Sequence, residues 1–329
     1  MKILLVLFFV LISIKASEDT FELESFSIMF ENDATVKTDF SYTHGGRLSL
    51  LYFRGDTKDS LFNIPFTAYE QTSNYISLAY SNQMYTPSNI EKIYLVKNDR
   101  PYAGYSFIEL GLHQASKNTL DSLTLELGMI GQATDMDALQ RVIHNFIGTK
   151  KVCGWKYQLK DEYIFQLNYL HKDRFNYKNF YGYENDLISY YGVNLGNKSI
   201  KASGGALYRI GYNIINDFGV NSMNEANYAS VPSKPKSSRN TKSDTSFFLN
   251  LSAGINLIAR DIFLDGNTFK DSHSTNKKFF TAYIMAGLTY RYKQYKIDFF
   301  HNYYTEDYEQ RDLYREYRGY SSLNFTYNF

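Results

Sequence analysis

The 329-residue chain has a single cysteine, Cys153, so no internal disulfide can brace it. It also has one tryptophan, five prolines and six histidines, few enough for each to be weighed by position. The net charge is only +1, which gives no basis for a nucleic-acid partner or any other strongly charged one. Beyond the N-terminus, no apolar run is long enough to cross a bilayer as a helix, so a helical membrane protein is out. There is no GxSxG elbow, no His-Glu-x-x-His pair, no cysteine cluster and no P-loop. The common serine hydrolases, zinc hydrolases and phosphate-loop enzymes therefore have no support.

Aromatic residues are abundant: 31 tyrosines and 25 phenylalanines. A water-soluble core does not need so many phenol hydroxyls. At a lipid–water boundary, tyrosine keeps its ring apolar and its hydroxyl wet. The first residues, 1-MKILLVLFFVLISIKAS-17, run from a lysine through an apolar stretch to small residues, the order of a secretory signal peptide. Residues 1–16 are expected to be removed, leaving 17–329 as one domain.

Segments of alternating polarity recur along that domain. Strands are expected at roughly 23–32, 40–53, 73–82, 104–114, 118–131, 157–182, 185–196, 199–214, 245–260, 279–293, 294–305 and 316–329. Leu123, Leu125, Leu127 and Met129 would share one face of the fifth. The last strand, 317-YRGYSSLNFTYNF-329, alternates up to a terminal phenylalanine, as the assembly signal of outer-membrane barrels does. The expected fold is all-β: an antiparallel transmembrane barrel of about twelve strands, an even count that puts both termini on the periplasmic side.

Two segments break the pattern. Residues 216–244 are rich in Asn, Ser, Lys and Pro, and read as a long mobile external loop or a mere linker. In contrast, 134-TDMDALQRVIHNFIG-148 reads as one short helix on the extracellular side. Thr134 is its expected cap, Gly148 its stop, and Met136, Leu139, Ile143 and Ile147 its apolar stripe. Gln140 and His144, four apart, neighbour each other beside that stripe. Laid on the barrel rim, such a helix presents this pair to whatever the rim holds.

Candidate chemistry gathers in few places. In 30-FENDATVKTDFSYTHGG-46, oxygen-bearing side chains cluster where one strand stops and the next begins. A plain turn and a cation site both account for that pattern. Position alone leaves His144 open as a surface histidine or a base. His171, His273 and His301 show no acidic companion motif. In 97-KNDRPYAGYSF-107, Arg100 suits either a phosphate or a structural ion pair, and Gly104 permits close backbone approach.

Taken together, 32-ND-33, 42-YTHG-45, 98-NDRPYAG-104, the Gln140/His144 pair and 154-GW-155 resemble the outer-membrane lipid A 3′-O-deacylase (LpxR) family, in order along most of the mature chain. The resemblance implies a twelve-stranded barrel that hydrolyses 3′-O-linked acyl esters of lipid A with calcium. A histidine activates water and the cation stabilises the oxyanion, much as in secreted phospholipase A2. Carried over by position, Asp33, Thr43 and Asn32 would hold Ca2+, and His144, Gln140 and Asn32 would act on the ester. Lys92, with Lys97 competing, and Arg100 would meet substrate phosphate or sugar. Some family members have a glutamate where this chain has Lys150, which leaves Glu162 as a weak substitute. The implied partners are lipid A or lipopolysaccharide and outer-membrane lipid, with the chain acting as a monomer. An outer-membrane phospholipase and a passive porin-like barrel are the alternatives.

Overall fold

In the computed structural model, twelve antiparallel strands close into a barrel, each pairing with its neighbours in sequence. The structure describes residues 21–33, 41–55, 64, 72–149, 151–180, 183–219, 230–235, 243–309 and 318–329. The expected signal peptide and Lys150 lie outside them. The strands are β1 (Glu22–Asn32), β2 (Ser41–Gly55), β3 (Ser73–Thr86), β4 (Ala103–Ala115), β5 (Thr119–Ile130) and β6 (Glu162–Phe180). They continue as β7 (Tyr183–Gly196), β8 (Ser199–Tyr212), β9 (Thr245–Asp261), β10 (Phe280–Tyr292), β11 (Tyr295–Tyr304) and β12 (Gly319–Asn328). The barrel closes between β1 and β12, with Phe30 opposite Leu323 and Asn32 opposite Ser321.

Two boundaries differ from expectation. The aromatic stretch 157–182 is one strand, but a 3-10 turn at Trp155–Tyr157 delays its start to Glu162. β3 runs past residue 82 to Thr86, where Pro87, lacking an N–H, ends the ladder.

Alternation sorts side chains as a membrane barrel requires. On β5, Leu125 and Leu127 are exposed while Thr124 and Glu126 are buried. On β12, exposed Leu323 and Phe325 alternate with buried Ser322, Asn324 and Thr326. Apolar groups face out and polar ones face in, and closure pairs the backbone groups that lipid cannot solvate. Inside, Arg47 pairs with Glu109 at 2.8 Å and Lys198 with Glu126.

The barrel's two ends differ. One carries the start of β1, the finish of β12 and short turns such as 116–118 and 293–294. The other carries the links from β3 to β4, β5 to β6 and β9 to β10. Just under this second mouth, Tyr42, Tyr85, Tyr105, Phe107, Phe263 and Tyr320 form an aromatic layer across the interior.

The segment 216–244 departs from expectation. It joins β8 to β9 at the end that holds the termini, not at the outer mouth, and its described parts fold into the lumen. Phe218 and Val231 are fully buried with Leu51, Tyr75, Ala115 and Leu120. Asp217 meets Arg209 at 2.5 Å and Lys296 at 3.8 Å, while Lys172 and Arg174 donate to the Phe218 and Asp217 carbonyls. A lumen ringed by cations draws in an acidic side chain and carbonyl dipoles, so a polar sequence need not be a solvated loop.

Burial alone would raise the Asp217 pKa, but Arg209 and Lys296 outweigh it and hold it at about 2. A carboxylate depressed in the folded state contributes stability above its unfolded value of ~3.9. That contribution is lost as the pH falls toward 2. Asp217→Asn is expected to remove this part of the acid dependence. It should cost about 1.5–3 kcal/mol, the scale of a hydrogen bond to a charged group, because Arg209 keeps Asp186 at 2.6 Å. Urea unfolding of variant and parent in micelles across acid pH measures the difference.

Candidate active site

The phase of β1 sets the site's location. Glu31 points inward, accepting hydrogen bonds from Tyr42 at 2.6 Å and Ser322 at 2.6 Å. Asn32 therefore points outward, in phase with exposed Ile28 and Phe30. Its Nδ2 donates to the Thr43 carbonyl at 3.1 Å, and the Asp33 backbone N–H donates to the same oxygen at 3.4 Å.

The facing end of β2 is irregular. Ser41 has φ 73°, in the left-handed region that a residue with a Cβ seldom adopts. Thr43 is the extra residue of a bulge, lying between the pairs Tyr42 with Tyr85 and His44 with Met84. A bulge re-aims a side chain. Tyr42 and Tyr85 enter the interior layer, whereas the Thr43 and Thr86 hydroxyls meet at 2.6 Å. His44 lies opposite Asn32, bonds Asn82 at 3.2 Å and rests edge-on against Phe30. The outward wall at the tips of β1–β3 is thus polar, and Thr43, His44 and Thr86 are buried there. Polar groups facing hydrocarbon are costly unless bonded and covered.

The helix α1 (Met136–Ile147) lies on the same outer face. Its expected cap is corrected: Thr134 Oγ1 donates to the Gly131 carbonyl at 2.6 Å, and the N-cap is Asp135, at φ 57° with no side-chain cap bond. Gly148, at φ 70°, ends the helix as expected. Met136 packs with Met84, Ile90, Tyr102 and Trp155. Met84 alternates with Gln83 and Tyr85, which line the lumen, so α1 is seated on the barrel's outer surface.

Gly104 makes that seat possible. A Cβ there would lie 2.4 Å from Thr134 Oγ1 and 2.7 Å from Met136 Cβ. Gly104→Val is therefore expected to lift the start of α1 and, if the helix carries the chemistry, reduce activity by up to ~10²-fold, the scale of a 1 Å misplacement. The barrel itself should still form, as its heat-modifiable mobility on electrophoresis would show.

Met136, Gln140 and His144, at four-residue spacing, form the buried edge of α1. Gln140 Oε1 accepts a 2.7 Å bond from Trp155 Nε1, which fixes the amide. Thr86 lies two residues beyond Met84 on the same face of β3. Met136, at the start of the helix stripe, is thus seated two residues from the Thr43–Thr86 pair on one strand.

The remaining expected residues are spread out. Arg100 is on the lumen side, with Nη1 2.5 Å from Ser41 Oγ and 3.3 Å from Asp307, and its guanidinium 4.8 Å above the Tyr85 ring. Burial opposes its charge, but Asp307 and Tyr308 outweigh this and raise its pKa. Of the two roles open to Arg100, bracing a carboxylate is the one in place. Lys92 and Lys97 are both exposed on the link between β3 and β4, with Lys92 over the Tyr94 ring. Glu162 accepts bonds from Asn197, in the turn between β7 and β8, and from Asn267, Thr268 and Phe269, in the link between β9 and β10. His171 does have acidic companions: Asp121 at 2.9 Å and Asp173 at 3.1 Å. Asp173 is two residues along the same strand, whereas Asp121 comes from the paired strand β5, which no local motif reports.

Sequence reasoning passed over Thr86, Asn82 and the partners of Trp155. Pro87 was the available signal for Thr86, since a strand can run up to a proline.

Among the described residues no three His, Cys, Asp or Glu side chains gather as metal ligands. The local donor set is one carboxylate, Asp33, with neutral oxygens. That set suits a hard cation such as calcium and not zinc. The Thr43 carbonyl already takes two N–H donors, so its part is to hold Asn32 and Asp33 in place.

Comparison with known proteins agrees with this architecture. Among solved structures, LpxR from Salmonella typhimurium superimposes with a TM-score of 0.72 at 16% identity, covering 93% of this chain and 100% of that one. The β domain of the Bordetella autotransporter BrkA aligns with a TM-score of 0.45 at 8% identity, over 93% of this chain and 98% of that one. No curated protein sequence matches significantly. The family model described as outer membrane protein LpxR matches residues 3–329, so the chain belongs to the LpxR family of outer-membrane barrels.

Proposed function

We propose that the protein is an outer-membrane esterase that removes the 3′-O-linked acyloxyacyl group of lipid A. One observation supports this: the buried Met136/Gln140/His144 edge of α1 is seated through Met136 on Met84, two residues before Thr86, whose hydroxyl meets that of Thr43. A lipid of the outer leaflet reaches that face by lateral diffusion, without entering the lumen.

His144 accepts a proton from water as the water oxygen bonds to the ester carbon. The bond from that carbon to the sugar oxygen then breaks, the sugar oxygen takes the proton held by His144, and the acyl group leaves as a carboxylic acid that gives its proton to water. Gln140, held by Trp155, orients the water or the ester. Asp33, Asn32 and the Thr43 hydroxyl are the residues that would hold calcium. The bound ion would supply positive charge to the carbonyl oxygen as it becomes anionic. Lys92, exposed on the link between β3 and β4, would meet a phosphate of the headgroup.

A passive pore fits less well, because ion pairs and the Asp217 segment occupy the lumen. An outer-membrane phospholipase shares the chemistry, and no observation favours it. Mass spectrometry of lipid A from cells with and without the gene tests the proposal. Loss of the 3′ acyloxyacyl unit is expected. Unchanged lipid A would overturn it, and released fatty acid from glycerophospholipid instead would establish the phospholipase.

A further inference from the structure

The helix α1 has a second apolar stripe that the barrel does not use. At 3.6 residues per turn, successive side chains are ~100° apart. Met136, Gln140 and His144 take the edge against the wall, whereas Val142 and Phe146, one turn apart, lie on another side. They are 66% and 90% exposed. The polar side chains Asp137, Arg141 and Asn145 gather on the remaining arc, where Arg141 pairs with Asp137 at 2.8 Å. Wall, apolar stripe and polar arc divide the circumference of α1 in three.

Such a division is expected of a helix lying in a membrane interface, with one side in acyl chains and one in water. The stripe also continues the lipid-facing surface of the barrel. Tyr163 and Phe165, exposed at the tip of β6, belong to that surface at the end from which α1 departs. Ile93, on the neighbouring link between β3 and β4, is exposed as well.

We propose that α1 lies in the plane of the outer leaflet, with Val142 and Phe146 inserted among its acyl chains. The occupant of the stripe is then lipid hydrocarbon. This placement would hold the Gln140/His144 edge just below the headgroups, at the depth of acyl ester bonds. The inference rests on the barrel's place in the outer membrane and not on hydrolysis.

The test measures depth, not activity. In a Cys153→Ser background, Phe146→Cys and Asn145→Cys are each labelled with a polarity-sensitive nitrobenzoxadiazole probe. The proteins are reconstituted in phosphatidylcholine vesicles that carry a nitroxide on the acyl chain near the headgroup. Heat-modifiable mobility selects folded protein. At position 146 the probe should shift its emission to the blue and lose most of it to the nitroxide, while at 145 it should keep a water-like spectrum. Equal quenching at both positions, or none at 146, would overturn the proposal while leaving the deacylase reading untouched. A blue shift at 146 without nitroxide quenching would overturn it too, because the stripe would then be covered by protein.

Discussion

Replacing His144 with alanine is expected to lower lipid A deacylation by ~10²–10⁴-fold, the usual contribution of a positioned general base. The barrel should be unaffected, because His144 belongs to a helix laid on the outer wall and contributes to no strand ladder. Heat-modifiable mobility checks folding, and mass spectrometry of lipid A checks activity. A substitution with so local a structural effect separates chemistry from folding better than any change within the wall. Full activity in a folded His144→Ala barrel would remove the imidazole from the mechanism. The seat of α1 on the wall, made by Gly104 and Met136, would then need another purpose.

Much of the fold could be read from the sequence because a barrel strand has one strong rule, alternation, and repeats it twelve times. Leu125 and Leu127 declare their face, and so do Leu323 and Phe325. Outside the strands that rule has no phase to offer. Arg100 sits in a link between β3 and β4, and nothing local shows that it turns into the lumen toward Asp307. The segment 216–244 misled for a related reason: polar composition suits a solvated loop and a charged lumen equally. Only the ring of Lys172, Arg174, Arg209 and Lys296, drawn from three strands, decides between them. A candidate site could be named from residue types and their order, through Asn32, Asp33, Thr43, Gln140 and His144. Its lateral neighbours could not, because Thr86 reaches Thr43 across a bulge that shifts the register by one residue.

That bulge frames the second large effect. Asp33→Ala should remove the one carboxylate of the oxygen cluster and, with it, most of the affinity for a divalent cation. The oxyanion stabilisation that such an ion supplies is worth several kcal/mol, so activity should fall on the order of 10²-fold or more. Fold damage should be small. The bond from Asp33 to the Thr43 carbonyl comes from its backbone N–H, which alanine retains, and Asn32 still donates to the same oxygen. Titrating calcium into EDTA-treated protein in micelles distinguishes the cases. The parent should gain activity with added calcium, whereas the variant should stay low at concentrations that saturate the parent. If the variant responds to calcium as the parent does, the ion is bound elsewhere and the tips of β1 and β2 are only a turn.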